Sequence, residues 1–246
     1  MFTVPRIARI ALVTAILGGV ALALAPVGYR LGWWGLHFAF YYGLGGALVV
    51  SCIALLLALG AAIVAVRTAE RHGLPLALAA VLLSALVGGL PARQYATAKT
   101  VPPIHDISTD TADPPAFVAL AAARKAAPNG LDYEGAKLAE KQKTGYPDIA
   151  TLHSTLPPAE LFARAAASVA SLGWAVAESS SADGRIEASD TTPFFGFTDD
   201  IVIRVRAANN GSALDVRSMS RIGKSDVGTN AARVRRFLAR VKASGA

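Results

Sequence analysis

Sulfur is scarce in this sequence, which has one cysteine and two methionines among 246 residues. A single cysteine cannot form an intrachain disulfide or supply the clustered thiolates of a structural zinc site. Cys52 also lies inside a long apolar run. The sequence therefore predicts neither disulfides nor thiol chemistry for the rest of the chain.

Histidine is also sparse, with four residues in the chain. His105 and His153 are far apart in sequence and form no zinc-binding spacing. The stretch HDISTD at 105–110 has metal-competent side chains, but so short a polar segment is more typical of a solvated linker. We therefore expect no metal site and no cofactor.

Charge is low for a chain of this length, since 17% of the residues are charged and 53% are hydrophobic, with a mean hydropathy of +0.43. The apolar residues concentrate in three runs, at about 7–25, 44–66 and 74–90. Each run is close to the roughly 17 to 25 residues that cross a bilayer. The sequence predicts a transmembrane region over 1–91, with the lipid bilayer as its partner.

The first run also resembles a signal peptide, because Arg6 and Arg9 precede it and small residues at Ala21–Ala25 could be cleaved. Its apolar stretch is longer than a usual signal core, and two further runs follow. We interpret it as a retained span.

Basic residues predict the orientation of these spans. Arg6 and Arg9 precede the first span and Arg67 and Arg71 lie between the second and third, whereas the first connection carries only Arg30. Positive residues favour the cytoplasmic side, so the amino terminus is expected there. Three crossings place the remainder on the other side, the periplasm of a bacterial inner membrane. A mild contrary signal comes from Arg93 and Lys99.

An aromatic cluster surrounds the first connection, as is typical of side chains that anchor a helix at the headgroup interface. It comprises Trp33, Trp34, Phe38, Phe40, Tyr41 and Tyr42.

The rest of the chain reads as an extended linker over 92–112 and a soluble domain over 113–246. Asp113 with Pro114 predicts a helix start, and a later helix is expected to close at Gly173. Two hairpins follow, with turns at Asp183–Gly184 and Asn210–Gly211, and then a last helix. The predicted fold is α+β, with an antiparallel four-stranded sheet packed by helices.

The second hairpin predicts which charges oppose each other. A two-residue turn at Asn210–Gly211 pairs Arg206 with Asp215 and Asp200 with Arg221, but it also places Arg204 opposite Arg217. Directly opposed like charges are unfavourable unless a negative group lies between them. We therefore expect a shared negative group there, which is Asp199, Asp190, the carboxylate of another segment or a bound anion.

The stretch RSMSRIGKSDVGTN at 217–230 contains GKS, the three residues with which a Walker A loop ends. A P-loop needs glycine where Ser218 stands, and it needs a parallel sheet with helical crossovers rather than hairpins. Asp226 is instead expected to cap the last helix. Nucleic-acid binding is not expected, because no aromatic platform or recognised motif accompanies the basic residues.

These patterns define the candidate functional residues, with no catalytic set among them. Candidates for binding an anion or a partner are Arg204, Arg217, Ser218, Ser220, Arg221, Lys224, Asn230 and Arg233. Candidates for structural charge partners are Asp199, Asp200, Asp215 and Asp226.

Several long segments resemble a known family. IHDISTDTADPPAF, GYPDI, GWAV with RIEA, FGFTDDIVIRVR and DVRSMSRIGKSDVGTNAARVRRFL look, in this order, like the hallmark segments of DUF1499. The resemblance covers about Val101 to Leu238. It implies a domain found mainly in bacteria and photosynthetic lineages, often exported or membrane-tethered, whose biochemical role is unassigned. It supplies no catalytic residues.

Three functions from different classes remain open at this point. The first, which we take as the working interpretation, is a non-catalytic envelope protein that binds a partner protein or an anionic ligand. The second is a hydrolase-like enzyme that uses Asp199 and Asp200, although adjacent strand residues point to opposite faces. The third is a purely structural module whose charges stabilise the fold.

Overall fold

The computed structural model describes residues 3–68 and 70–243. The chain divides into two compact units, one of residues 1–97 with 194–196 and the other of 98–193 with 197–246. The first contains long apolar helices and the second contains the sheet.

Among the residues that the structure describes, three helices are long and apolar enough to cross a membrane, and they cover the three apolar runs predicted as spans. They are α1 (Val4–Arg30), α2 (Leu36–Arg67, with a π-helical turn at Ala39–Leu44) and α3 (Leu74–Thr100). The last helix continues through the first nine residues of the predicted linker, so those residues are not extended. These helices indicate a membrane protein.

Small residues line the buried seam of this bundle. The buried positions of α1 include Ala8, Ala11, Ala15 and Gly18, spaced by three or four residues, and α2 and α3 follow the same spacing. One layer joins Ala8, Ala61 and Ala77. Lipid provides no hydrophobic drive for helix association, so small side chains favour it by letting the backbones approach closely. The spacing of 3.5 residues is typical of left-handed supercoiling.

The described residues of the second unit form an antiparallel six-stranded sheet with four helices, which confirms the α+β class but adds two strands. The strands are β1 (Asp106–Ser108), β2 (Leu152–Ser154), β3 (Ala175–Ser180), β4 (Arg185–Thr191), β5 (Thr198–Ala208) and β6 (Gly211–Ser220). The helices are α4 (Ala121–Lys125), α5 (Ala136–Gly145), α6 (Pro158–Leu172) and α7 (Thr229–Ala243). The order is β3-β4-β5-β6, and β1 and β2 both pair with the outer edge of β6.

Both faces of the sheet are covered. On one face, Ile203 and Val216 belong to a core that includes Leu161 of α6 and Phe237 of α7. On the other, the smaller cluster of Phe117, Leu120, Val202 and Met219 lies under the segment that leads into α4. Burial on both faces explains why nine of the ten residues of β6 are buried.

The helix predicted to begin at Asp113 and Pro114 is wrong, because α4 begins only at Ala121. The Asp113 carboxylate accepts a hydrogen bond from Arg204 at 2.9 Å and caps nothing. The N–H groups of residues 118–120 donate to the Glu187 carboxylate at 2.8 to 3.0 Å. Side chains of the sheet therefore hold this segment in an irregular conformation. By contrast, α6 ends as predicted, with Gly173 in the left-handed conformation at φ 72°.

The predicted register of the β5–β6 hairpin is also wrong. Ala208 pairs with Gly211, so the turn residues are Asn209 and Asn210, with Asn210 at φ 66°. The shift of two residues preserves the faces but changes the partners. Arg204 lies opposite Asp215, and Arg217 lies opposite Val202. The strand begins with Gly211 at φ 142°, where a Cβ atom would overlap the Ser154 carbonyl oxygen of β2.

Candidate functional site

Strands β5 and β6 place a row of charged residues on the face that the α4 segment covers. Side chains alternate across a strand, so Asp200, Arg204, Asp215 and Arg217 share this face. The adjacent strand β4 adds Glu187 to it. Most of these groups are buried, so the partners of each charge determine what the site can do.

Asp200 is the centre of one cluster. Its carboxylate accepts hydrogen bonds from Arg124 at 3.1 Å, from Arg221 at 2.9 Å on each oxygen, and from Ser189 at 2.7 Å. Arg124 and Asp200 are fully buried. Burial lowers the pKa of Arg124, whereas the hydrogen bonds to Asp200 raise the pKa of Arg221. The predicted pairing of Asp200 with Arg221 is therefore present, although the two residues are not cross-strand partners.

Arg217 forms a second buried pair with Asp106 of β1, through Nε at 3.0 Å and Nη2 at 2.8 Å. Its guanidinium lies 5.2 Å from the centre of the Phe117 ring and 5.4 Å from that of Tyr133. Phe117 also lies 5.1 Å from Arg124. These rings add cation–π attraction and exclude water from both ion pairs.

Arg204 and Arg206 form a third cluster around Asp215. Arg204 donates to Asp215 at 3.1 Å and to Asp110 at 3.3 Å, and Arg206 lies 3.2 Å from Asp215. The predicted pairing of Arg206 with Asp215 is present, and Asp215 is fully buried. Among the described hydrogen bonds, no carboxylate is shared by Arg204 and Arg217. The expectation of a shared carboxylate is wrong because the two arginines are not opposed.

The opposite face of the sheet, which α6 and α7 cover, has a separate polar cluster around Arg233 of α7. Arg233 donates to Asp199 at 2.7 Å, to Asp190 at 2.9 Å and to the Asn230 side-chain oxygen at 2.6 Å. The Asn230 amide donates to the Ser220 hydroxyl at 2.9 Å, and the Ser218 hydroxyl donates to Asn230 at 2.7 Å. This cluster fixes α7 against the end of the sheet.

The start of α7 explains why the Walker-like stretch is no phosphate cradle. The Asp226 carboxylate accepts from the backbone N–H of Asn230 at 2.6 Å and of Gly228 at 2.8 Å. It therefore caps the helix as predicted and occupies the N–H groups that an anion would use. Burial raises the pKa of Asp226. Lys224 is exposed beside this turn.

The sequence-predicted residues therefore do not converge on one site. Arg204, Arg217 and Arg221 lie in the clusters of one face, and Ser218, Ser220, Asn230 and Arg233 lie in the cluster of the other. Lys224 belongs to neither. Among the residues that the structure describes, no group of three His, Cys, Asp or Glu side chains is arranged to hold a metal ion.

Sequence reasoning missed three buried members of these networks, Asp106, Arg124 and Glu187. Asp106 lay in the predicted linker, where the polar stretch HDISTD was its only signal. The alternation of Arg185 and Glu187 in β4 was a readable sign of a charged face. Arg124 carried no signal, because its partner Asp200 is 76 residues away in sequence.

Tyr133 gives this region a measurable pH dependence. Burial, and then the neighbouring Asp106 carboxylate, raises the pKa of Tyr133 from 10.0 to about 12. The folded domain therefore retains this proton between pH 10 and pH 12, where the unfolded chain releases it. The stability that Tyr133 contributes is present below pH 10 and is lost as the pH rises through that window.

Tyr133→Phe is expected to reduce this alkaline loss of unfolding free energy. Denaturant unfolding of the wild type and the variant, below and above pH 10, measures it. An equal alkaline loss in both proteins would contradict the assignment.

Comparison with known proteins matches residues 106–241 to a family described as Protein of unknown function (DUF1499). The match begins with β1, ends within α7 and covers more than half of the chain, including all six strands. No curated protein and no solved structure matches the chain. The three apolar helices precede the matched part, which is consistent with a membrane anchor. The chain therefore belongs to the DUF1499 family, through the sheet domain that contains these charge networks.

Proposed function

We propose that this protein is a non-catalytic envelope protein of the bacterial inner membrane that binds a partner protein or an anionic ligand. Its amino terminus lies in the cytoplasm and its DUF1499 domain in the periplasm. The excess of basic residues before α1 and between α2 and α3 supports this orientation, since the connection between α1 and α2 carries only Arg30.

The observation that carries the non-catalytic assignment is the pairing of the buried charges. Asp199 is bound by Arg233 on one face of the sheet, and Asp200 is bound by Arg124 and Arg221 on the other. An acid–base pair must reach the same reacting group, and these carboxylates point away from each other. A hydrolase-like role for them is therefore disfavoured.

The same pairing bears on how an anion would bind. Arg204, Arg217, Arg221 and Arg233 each contact a carboxylate of the domain, so an anion at these residues would have to displace it. An exposed cation needs no such displacement, and Lys224 is one. We assign recognition to exposed basic side chains and a structural role to these four carboxylate-paired arginines. This division also favours the third function considered above, a purely structural module.

Location is tested by a reporter enzyme that is active only outside the cytoplasm, fused after Ala246. The reporter is expected to be active, because three crossings from a cytoplasmic amino terminus end on the other side. A matched fusion in the α2–α3 turn, after Arg67, is expected to be inactive. The reverse pattern would contradict the proposed orientation.

Binding is tested by thermal unfolding of the purified full chain with inorganic phosphate or sulfate. A ligand that binds only the folded state raises the unfolding temperature by mass action. The rise is expected in the wild type and is expected to be smaller in Lys224→Gln. A temperature unchanged by either anion would favour the purely structural module.

A further inference from the structure

Positive charge is concentrated on the outer side of α7. The helix contains five basic residues and no acid: Arg233, Arg235, Arg236, Arg240 and Lys242. Arg233 is buried in the network described above, and Arg235 is paired with Asp148 at 2.6 Å. Arg236 and Lys242 are exposed, and we call these two residues the α7 basic face.

The shape of this face suits a flat surface. Ala232, Ala239 and Ala243 are exposed in α7 and, at 100° per residue, fall between Arg236 and Lys242 around the helix. Small side chains in the centre let the helix approach closely, while long basic side chains at the margins reach outward. Phe237 is buried beneath the helix, so the face offers no aromatic platform for nucleic-acid bases.

The chain also keeps the domain close to a bilayer. The predicted third span ends at Leu90, α3 continues to Thr100, and residues 101–105 lead from there to the first strand. The ten helical residues rise about 15 Å and the five that follow span at most about 18 Å when fully extended. An anionic membrane surface is therefore present at high local concentration, which a dissolved ligand is not.

From these observations we infer that the α7 basic face binds the phosphate groups of anionic lipids in the anchoring membrane. This deepens the proposed function, on which it rests, by identifying the anionic ligand as a lipid headgroup. Guanidinium and ammonium groups donate hydrogen bonds to phosphate oxygens, and each basic residue near an anionic surface adds to the attraction.

The experiment uses the full chain with Cys52→Ser, reconstituted in nanodiscs of phosphatidylcholine with or without phosphatidylglycerol. Ala239→Cys places a thiol at the centre of the α7 basic face, and Ala163→Cys places one on the exposed side of α6 as a control. A water-soluble maleimide measures the accessibility of each thiol. We expect phosphatidylglycerol to slow labelling at 239 by about fivefold or more at low salt, and to leave 163 unchanged.

Two charge variants make the assignment specific. Arg236→Gln with Lys242→Gln is expected to abolish the slowing at 239. Lys137→Gln with Lys141→Gln removes the same charge from exposed positions of α5 and is expected to preserve it. High salt is expected to abolish the slowing, because exposed charges are screened.

Equal labelling rates in the two lipids, at 239 and at a second probe Ala232→Cys, would overturn the inference. Protection seen only in native membranes would overturn it in favour of an acidic protein partner. The reporter fusion tests location independently, so lipid-dependent protection with a cytoplasmic domain would contradict only the proposed orientation.

Discussion

Asp200→Ala is expected to destabilise the DUF1499 domain by about 3–5 kcal/mol, the range typical of removing one partner from a buried ion pair. Arg124 is fully buried, and its ion-pair partner is Asp200. The substitution leaves that guanidinium buried without its carboxylate, and it also releases Arg221 and Ser189. The large effect comes from the unpaired charge, because an intact buried pair adds little net stability.

Denaturant unfolding of the full chain in detergent measures this effect. Trp174 is buried against Phe237, at 5.6 Å between ring centres, and reports on the domain once Trp33 and Trp34 are replaced by phenylalanine. Asp148→Ala is the matched control, since it also removes an aspartate from an arginine, but both partners are about half exposed. Its expected cost is below about 1 kcal/mol. Similar costs for the two variants would show that the Asp200 cluster is not isolated from solvent.

Gly211→Ala is expected to cost about 3 kcal/mol or more. The residue has φ 142°, which side-chain-bearing residues rarely adopt, and its added Cβ would overlap the backbone of Ser154. Backbone cannot move aside like a side-chain end, so β2 would have to separate from β6. The substitution combines conformational strain with lost strand pairing.

Gly173→Ala isolates the conformational part of that cost. Gly173 also has positive φ, at 72°, but no atom lies within 4 Å of a Cβ added there. Its expected cost is about 1–2 kcal/mol, the usual penalty of the left-handed region. The same unfolding measurement compares the two variants. A Gly211→Ala protein as stable as the Gly173→Ala protein would contradict the close approach of β2.

Local chemistry made part of this fold predictable. The apolar spans, the glycine that ends α6 and the four long strands follow from hydrophobic runs, capping and alternation. The faces of β5 and β6 were also predictable, because an error of two residues in register does not exchange them. The seam of α1 was equally readable, since its small residues recur every three or four positions.

Other features depend on partners that are distant in sequence. Strands β1 and β2 have three residues each, too few for a periodic signal. Asn210–Gly211 is a strong turn signal, but Gly211 lies in the strand, where it pairs with Ala208 and is close to the Ser154 backbone of β2. The candidate residues do not form one site, because their charge partners were sought mainly within strands β4 to β6. The actual partners lie in other segments. Asp106 pairs with Arg217, Asp113 pairs with Arg204, and Arg124 pairs with Asp200.

The pairing of β1 with β6 has a consequence for biogenesis. Asp106 and Arg217 are separated by 111 positions. A ribosome must therefore synthesise nearly the whole domain before β1 can pair with β6. Until then, β1, which follows the apolar helices in the chain, has no strand to pair with, and Asp106 lacks its counterion. A fragment beginning at residue 113 would never acquire that strand, and Arg217 would then be enclosed without its carboxylate.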